Sequence, residues 1–539
     1  MKKSKEEKFQ EKEAKAKNSG FVYKTRWQGV IRIFVATIIL LLELGLFFTL
    51  ALRLSQFGLI LLISMQVVGL LFVFRLFYVR RDITYTIGWS LVILSFPAFG
   101  LILYFFWGRR KRFRDREQRL NSASLRLSRW FPEMPKTQQI LNYARLAFKE
   151  ENLQLNYLAN RGFPLYRGCS CRYYKDGESQ VDQIFRDLES AEDYIFLEYF
   201  ILSDGLLWKR VEDILIEKAE KGIKIRILYD DFGSSTKTPP RLHERLREKG
   251  IEVINFNPVL SLFSGFYVNY RNHQKVLVID GSIAWFGGAN LADEYVNLHE
   301  RFGHWKDSAL RVEGEAASAA AVYFLEMWSM DKRVPVGQDE SIFFKRKDKH
   351  EPLAKVNSIV SPYRDGPLGN PDNPAEDLYR SLINTAQRSL YITTPYFIVD
   401  ASMIADLCRV ARSGVDVRLL IPGIPDKKNV YLVTRSNIGA LLEAGVRVYE
   451  YSPGFIHSKV MLADGSRGII GSINLDFRSL YLNFENAIYI YRDPVLKDME
   501  KDFIDSIRQS KEISYEEWQR RPLKDKIREP IYKIFSPLL

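Results

Sequence analysis

One pattern occurs twice in this chain: NHQKVLVID at 272–280 returns as IHSKVMLAD at 456–464, with His, Lys and Asp at the same spacing. A run such as KVLVID has the β-branched, apolar composition of a buried strand. Side chains alternate along a strand, so His273 and Lys275 are expected on one face, as are His457 and Lys459. A Gly turn and small residues follow each copy. Asp280 leads into GSIAWFGGAN, ending at Asn290, and Asp464 leads into GSRGIIGSINLD, with Ser472 and Asn474. The interval from Asp to Asn is the same in both. A single HxKxxxxD would favour a structural histidine. Two of only six His at matched places in a repeat favour chemistry instead.

The surroundings repeat as well. The first copy reads YIFLEYFIL (strand), LWKRVEDILIEKAEKG (helix), IKIRILYDD (strand), PRLHERLREKG (helix) and IEVINF (strand) before NHQKVLVID. The second reads SLYITTPYFI, MIADLCRVARSG, VDVRLLIPG, VTRSNIGALLEAG and VRVYEY before IHSKVMLAD. Each helix ends at a Gly suited to a C-cap. The expected fold is therefore α/β, two tandem copies of one unit, over 151–335 and 376–510. A turn-rich, charged segment at 336–375 joins them, and an amphipathic segment at 511–539 closes the chain.

The N-terminal part follows different rules. Residues 1–32 form a polar, Lys/Glu-rich tail, solvated or disordered. Within 33–108 lie three apolar segments: 33–52, interrupted only by Glu43; 57–77, with Arg75 near its end; and 87–107, without charge. Each approaches the roughly 20 residues of a membrane-spanning helix, so two or three spans are expected. Pro97 and Gly100 could break the third and make it re-entrant. Residues 109–150 form a basic linker opening with RRKRFRDR, and this cluster places the catalytic region on the cytoplasmic side. A net charge of +13 calls for an anionic partner, whether nucleic acid, anionic lipid or a phosphorylated substrate. Cys169, Cys171 and Cys408 cannot build a disulfide framework or a paired zinc site and read as reduced thiols.

Two histidines of opposite protonation state can share a phosphoryl transfer. One attacks phosphorus while the other protonates the departing alcohol and later deprotonates the incoming one. Lys275, Lys459, Asn290 and Asn474 would hold the phosphoryl oxygens as charge moves. Such a site requires no metal and no cofactor, since protonated Lys cannot ligate a metal.

HxKxxxxD followed by GGxN or GSxN, twice, resembles the phospholipase D superfamily, and YIFLEYFIL, YRNHQKVLVIDG, RFGHWKD and FIHSKVMLADG resemble its bacterial cardiolipin synthase branch. The polar tail and first apolar segment depart from that branch, as does Gly288 where the second repeat has Ser472. The resemblance implies two phospholipase D-like repeats packed as a pseudo-two-fold pair behind an N-terminal transmembrane region, in a multi-pass enzyme of the cell membrane. It implies a phosphatidyltransferase making cardiolipin from two phosphatidylglycerol molecules with release of glycerol, acting on anionic phospholipid at the bilayer rather than on nucleic acid. By the motif match His273 and His457 are nucleophile and acid/base, the first-repeat His favoured as nucleophile. Lys275 and Lys459, aided by Asn290, Ser472 and Asn474, bind phosphate; Asp280 and Asp464 organise the site, and Glu485 orients a His. Against this, a carboxylate after a strand also serves as a turn cap, an equally good reading of Asp280 and Asp464. The rival functions are a phosphodiesterase or nuclease with the same two-His site and a non-enzymatic membrane scaffold. The aromatics of FSGFYVNY suit an acyl-chain surface, core packing or a covering loop. The C-terminal KIREPIYKIFSPLL suits either lipid contact or docking on the protein.

Overall fold

The computed structural model describes residues 45, 58–78, 83–105, 114–131, 134–148, 152–239, 241–258, 270–331, 333–335, 340–344, 358–369 and 372–534. The polar tail, the first apolar segment apart from Gly45, and all of FSGFYVNY before Tyr270 lie outside them.

In the first repeat the parallel strands Tyr194–Tyr199, Lys224–Asp230 and Glu252–Phe256 are joined through helices Leu206–Glu220 and Leu242–Glu248. Val276–Ile279 then adds antiparallel to Tyr194–Tyr199, and Ile283–Gly287, Ala309–Glu313 and Ser170–Tyr174 complete a seven-stranded sheet. The second repeat builds the same unit. Ser389–Thr393, Asp416–Pro422 and Arg447–Tyr451 are parallel, helices Ala401–Arg412 and Lys428–Glu443 connect them, and Val460–Ala463 adds antiparallel. The helix-ending glycines Gly222, Gly250, Gly414 and Gly445 all have positive φ, as the C-cap pattern requires.

The second sheet is wider than its repeat. Ile359–Asp365, from within the expected connecting segment, pairs with Asn483–Tyr491 and also takes up Tyr166–Arg167 from the start of the first repeat. Ser510–Ile513 adds to the opposite edge, beside Arg447–Tyr451, so the C-terminal segment begins inside the sheet. Helix Ala316–Ser329 is buried almost throughout and touches strands of both sheets. Its run of alanines gives it a slim profile, and one apolar core continues through both repeats.

Ahead of the repeats, helix Gly58–Tyr78 is followed by Ile83–Ser95 and Pro97–Leu103. The third apolar segment is thus two short helices parted at Phe96, as Pro97 foreshadowed. A Cβ at Gly100 would lie 2.6 Å from Ile93 Cα, so only glycine lets the second piece fold back on the first. Among the described residues no helix is long and apolar enough to cross a membrane. Helix Gly58–Tyr78 nevertheless leaves Val67, Leu71 and Phe74 more than half exposed.

Candidate active site

At each motif histidine, the two repeats meet through a short parallel ladder. Arg271–Asn272 pairs with Asn483 and Phe484, and the next residues on the two strands are His273 and Glu485. Gly454–Ile456 pairs with His304–Lys306, and the next residues are His457 and Asp307. The ladders continue through His273 N to Phe484 O at 2.9 Å and His457 N to Lys306 O at 2.7 Å. Register then sets the side chains. His273 Nδ1 lies 2.8 Å from Glu485 Oε1, and His457 Nδ1 lies 2.6 Å from Asp307 Oδ2. Each histidine is held by a carboxylate of the other repeat, with Nδ1 engaged and no partner on Nε2 among the described residues.

The lysines are placed differently from the simple strand expectation. The strands begin only at Val276 and Val460, so His273, Lys275, His457 and Lys459 precede them. The short ladders take up the chain here, and each Lys curls back. Lys275 Nζ donates to His273 O at 2.5 Å, and Lys459 Nζ donates to His457 O. Each ammonium is fixed on the backbone carbonyl of its own motif histidine.

Burial controls the charges. It pushes Lys275 down to about 7 and Lys459 down to about 8, against the pull of nearby carboxylates. It raises Glu485 and Asp307 to about 7, opposed by Lys275 and Lys459. Both imidazoles fall well below their ordinary range, through burial first and then the charges of both lysines. Each Lys acts on the His of the other motif too, so the two motifs share one electrostatic environment. The histidines differ in surroundings. Phe200 lies 4.9 Å from His273, whereas Tyr295, Trp305 and Phe455 lie 5.5, 5.4 and 5.6 Å from His457.

The remaining expected residues divide. Ser472 Oγ donates to Glu485 Oε2 at 2.5 Å, so it braces the carboxylate behind His273. At the matching Gly288 a Cβ would come within 2.4 Å of Asp307 Oδ1, so Asp307 itself fills the space that a serine would need. Asn290 Oδ1 accepts from Ile201 N and its Nδ2 donates to Tyr295 OH, which occupies one acceptor and one donor position of that amide. Asn474 donates to Ser479 Oγ, and its Oδ1 is buried with no partner among the described residues.

Asp280 and Asp464 are not brought to the histidines. Six residues, four of them strand, separate each from its motif His, about 20 Å of extended chain. With φ of 53° and 56°, each opens a tight turn with the following Gly, closed by Ser282 N to Ile279 O and Ser466 N to Ala463 O. The Asp280 carboxylate accepts from the backbone N–H groups of Glu192, Asp193 and Tyr194, and Asp464 from those of Gln387, Arg388 and Ser389. Neither carboxylate caps the turn after its own strand; each instead pins the residues that lead into a neighbouring strand. Asp280→Ala is expected to cost about 2 kcal/mol in a denaturant titration and to leave kcat within about threefold. A thousandfold loss of kcat in a folded variant would restore Asp280 to the chemistry.

Sequence reading passed over Asp307 and the aromatic surround of His457. A two-fold pair with Glu485 behind one His demands an acid behind the other, and RFGHWKD ends in one. Elsewhere, a cavity of about 640 Å³ lined by Arg172, His304, Lys306 and Asp502 includes neither motif histidine. Asp176 and His304 of its lining cluster with Glu178, and His304 is bonded to Glu178 and Tyr451.

Residues 184–328 and 379–507 match the family profile described as cardiolipin synthase, PLD-like domain, and residues 65–109 match one described as phospholipase D-nuclease N-terminal. A cardiolipin synthase of Geobacillus sp. (strain WCH70) is 36% identical over 89% of this chain and 94% of its own. The major cardiolipin synthase of Bacillus subtilis (strain 168) is 34% identical over 87% and 97%. Among solved structures, a phosphatidylserine synthase of Haemophilus influenzae Rd KW20 shares the fold, with a TM-score of 0.55 and 18% identity over 72% of this chain and all of that one.

Proposed function

The chain belongs to the cardiolipin synthase family with phospholipase D-like domains, and we propose that it makes cardiolipin from two phosphatidylglycerol molecules, releasing glycerol, through a phosphohistidine intermediate. The observation that carries this reading is the pair of cross-braced histidines, each with Nδ1 on a carboxylate and Nε2 open.

His273 Nε2 attacks phosphorus, the bond to the glycerol oxygen breaks, and His457 gives that oxygen a proton. The second phosphatidylglycerol then enters. Its hydroxyl loses a proton to His457, its oxygen attacks phosphorus, and the bond to His273 breaks. Asp307 on Nδ1 opposes the burial that disfavours a cationic His457 and so supports it as the acid, and Glu485 with its Ser472 brace keeps a proton on His273 Nδ1. Lys275 and Lys459 stabilise the charged oxygens of both transition states. The Oδ1 of Asn474 is an acceptor for a lipid glycerol hydroxyl. The apolar residues of 33–108 hold the enzyme in the cell membrane by more than one pass, and the basic cluster from Arg109 keeps the catalytic region cytoplasmic.

Incubation with headgroup-labelled phosphatidylglycerol tests the reaction: cardiolipin and glycerol are expected in equal amounts, and phosphatidic acid as the sole lipid product would overturn the transfer. The same assay reads the pH dependence. Lysines with depressed pKa lose their charge early as pH rises, and carboxylates with raised pKa lose theirs early as pH falls. A narrow bell-shaped kcat/KM is therefore expected, with its maximum near a pH of about 7: the alkaline limb follows Lys275 at about 7 and then Lys459 at about 8, and the acid limb follows Glu485 and Asp307 at about 7. A rate that holds to pH of about 9.5 would contradict the burial of the lysines.

A further inference from the structure

Helix Leu523–Ile534 is packed through Glu529 and Tyr532. Glu529 is 1% exposed and ion-paired with Arg521 at 2.8 Å, and Tyr532 joins the cluster of Ile398, Val433 and Phe477. Leu523, Ile527 and Ile531, spaced four apart on one stripe, are 71%, 57% and 50% exposed. A helix on a water-facing surface buries such a stripe. Here Lys524, Lys526 and Arg528 are exposed together with the apolar residues.

The position of the helix narrows what covers the stripe. It packs along helix Lys428–Glu443, with Arg528 Nη2 3.4 Å from Asn429 Oδ1. Two residues before Asn429 is Lys427, whose charge lowers the pKa of both motif histidines and which donates to Tyr396 OH and Asp426. The helix also touches Ile83–Ser95, where Ile87 and Leu91 are exposed, so the stripe adjoins the apolar N-terminal helices. We propose that Leu523, Ile527 and Ile531 seat in the headgroup–acyl boundary of an anionic bilayer, so that this helix lies in the membrane plane and holds the mouth of the two-histidine site at the level of the lipid phosphates. Apolar residues on one face with flanking cations are what an interfacial helix on anionic lipid requires. The proposal rests on the lipid-substrate reading above.

The test uses the full chain in phosphatidylglycerol vesicles, its three native cysteines replaced, with a bimane probe at Ile527→Cys or, as control, at the exposed Lys249→Cys. Quenching by spin-labelled lipid at 527 and not at 249 is the expected result. A probe at 527 that stays unquenched on vesicle-bound protein overturns the proposal, as does cross-linking between copies at 527, which would make a second copy the occupant. This readout needs no turnover, so it stands apart from the assignment of activity. The triple variant Leu523→Ser, Ile527→Ser, Ile531→Ser is expected to lose about tenfold or more on bilayer substrate and less than about twofold on monomeric short-chain phosphatidylglycerol. Equal losses on the two substrates would mean that the helix acts through the fold of the site, and would also overturn the proposal.

Discussion

Alanine at His273 is expected to reduce turnover of labelled phosphatidylglycerol by about ten-thousand-fold or more, because a nucleophile and its acid/base partner act as a unit. Alanine at His457 should be nearly as damaging on a natural substrate, whose glycerol leaving group needs a proton. The rest of the site survives either change: Glu485 keeps Ser472 and Asn483, and the ladders that bring the repeats together run through backbone atoms. Both variants should therefore fold, which a thermal unfolding scan beside the activity assay would check. Activity near wild type in either would end the two-histidine mechanism.

The second large effect is expected at Glu485. It is fully buried and accepts from His273 Nδ1, Ser472 Oγ and Asn483 Nδ2. Glu485→Gln keeps the shape but lets an amide face Nδ1, which favours the imidazole with its proton on Nε2, where attack must occur. A loss of about 10²- to 10⁴-fold in kcat is expected, following the effect of a mismatched partner in a triad. Ser472→Ala, which removes only the brace, should lose far less. A Glu485→Gln enzyme with normal kcat would show that the carboxylate does not set the state of His273.

The strand and helix order was legible because each element carries its own periodicity and each connecting helix ends in a glycine that proves left-handed. The break at Pro97 was legible for a similar local reason, the missing N–H and the fixed φ of proline. What escaped was non-local. Nothing around His273 announces that residues 271–272 leave their own sheet to pair with 483–484, and that exchange is why His273 and Lys275 stand before the strand. Asp307 escaped for the same reason, since it serves a histidine in the other repeat. Asp280 and Asp464 share a motif with the histidines, yet the motif runs the length of a strand. Its two ends therefore serve different tasks. The C-terminal helix could be read as amphipathic, but which side faces the protein depends on the ion pair between Arg521 and Glu529.

The most direct test of the central claim uses phosphatidyl-p-nitrophenol, whose leaving group departs without a proton donor, with the His457→Ala enzyme. The first step should proceed and the second should stall for lack of a base, giving a burst of one p-nitrophenol per active site and a phosphatidyl adduct on the peptide containing His273 in mass spectrometry. No burst and no adduct in the folded His457→Ala variant, or the same burst from His273→Ala, would contradict His273 as the nucleophile.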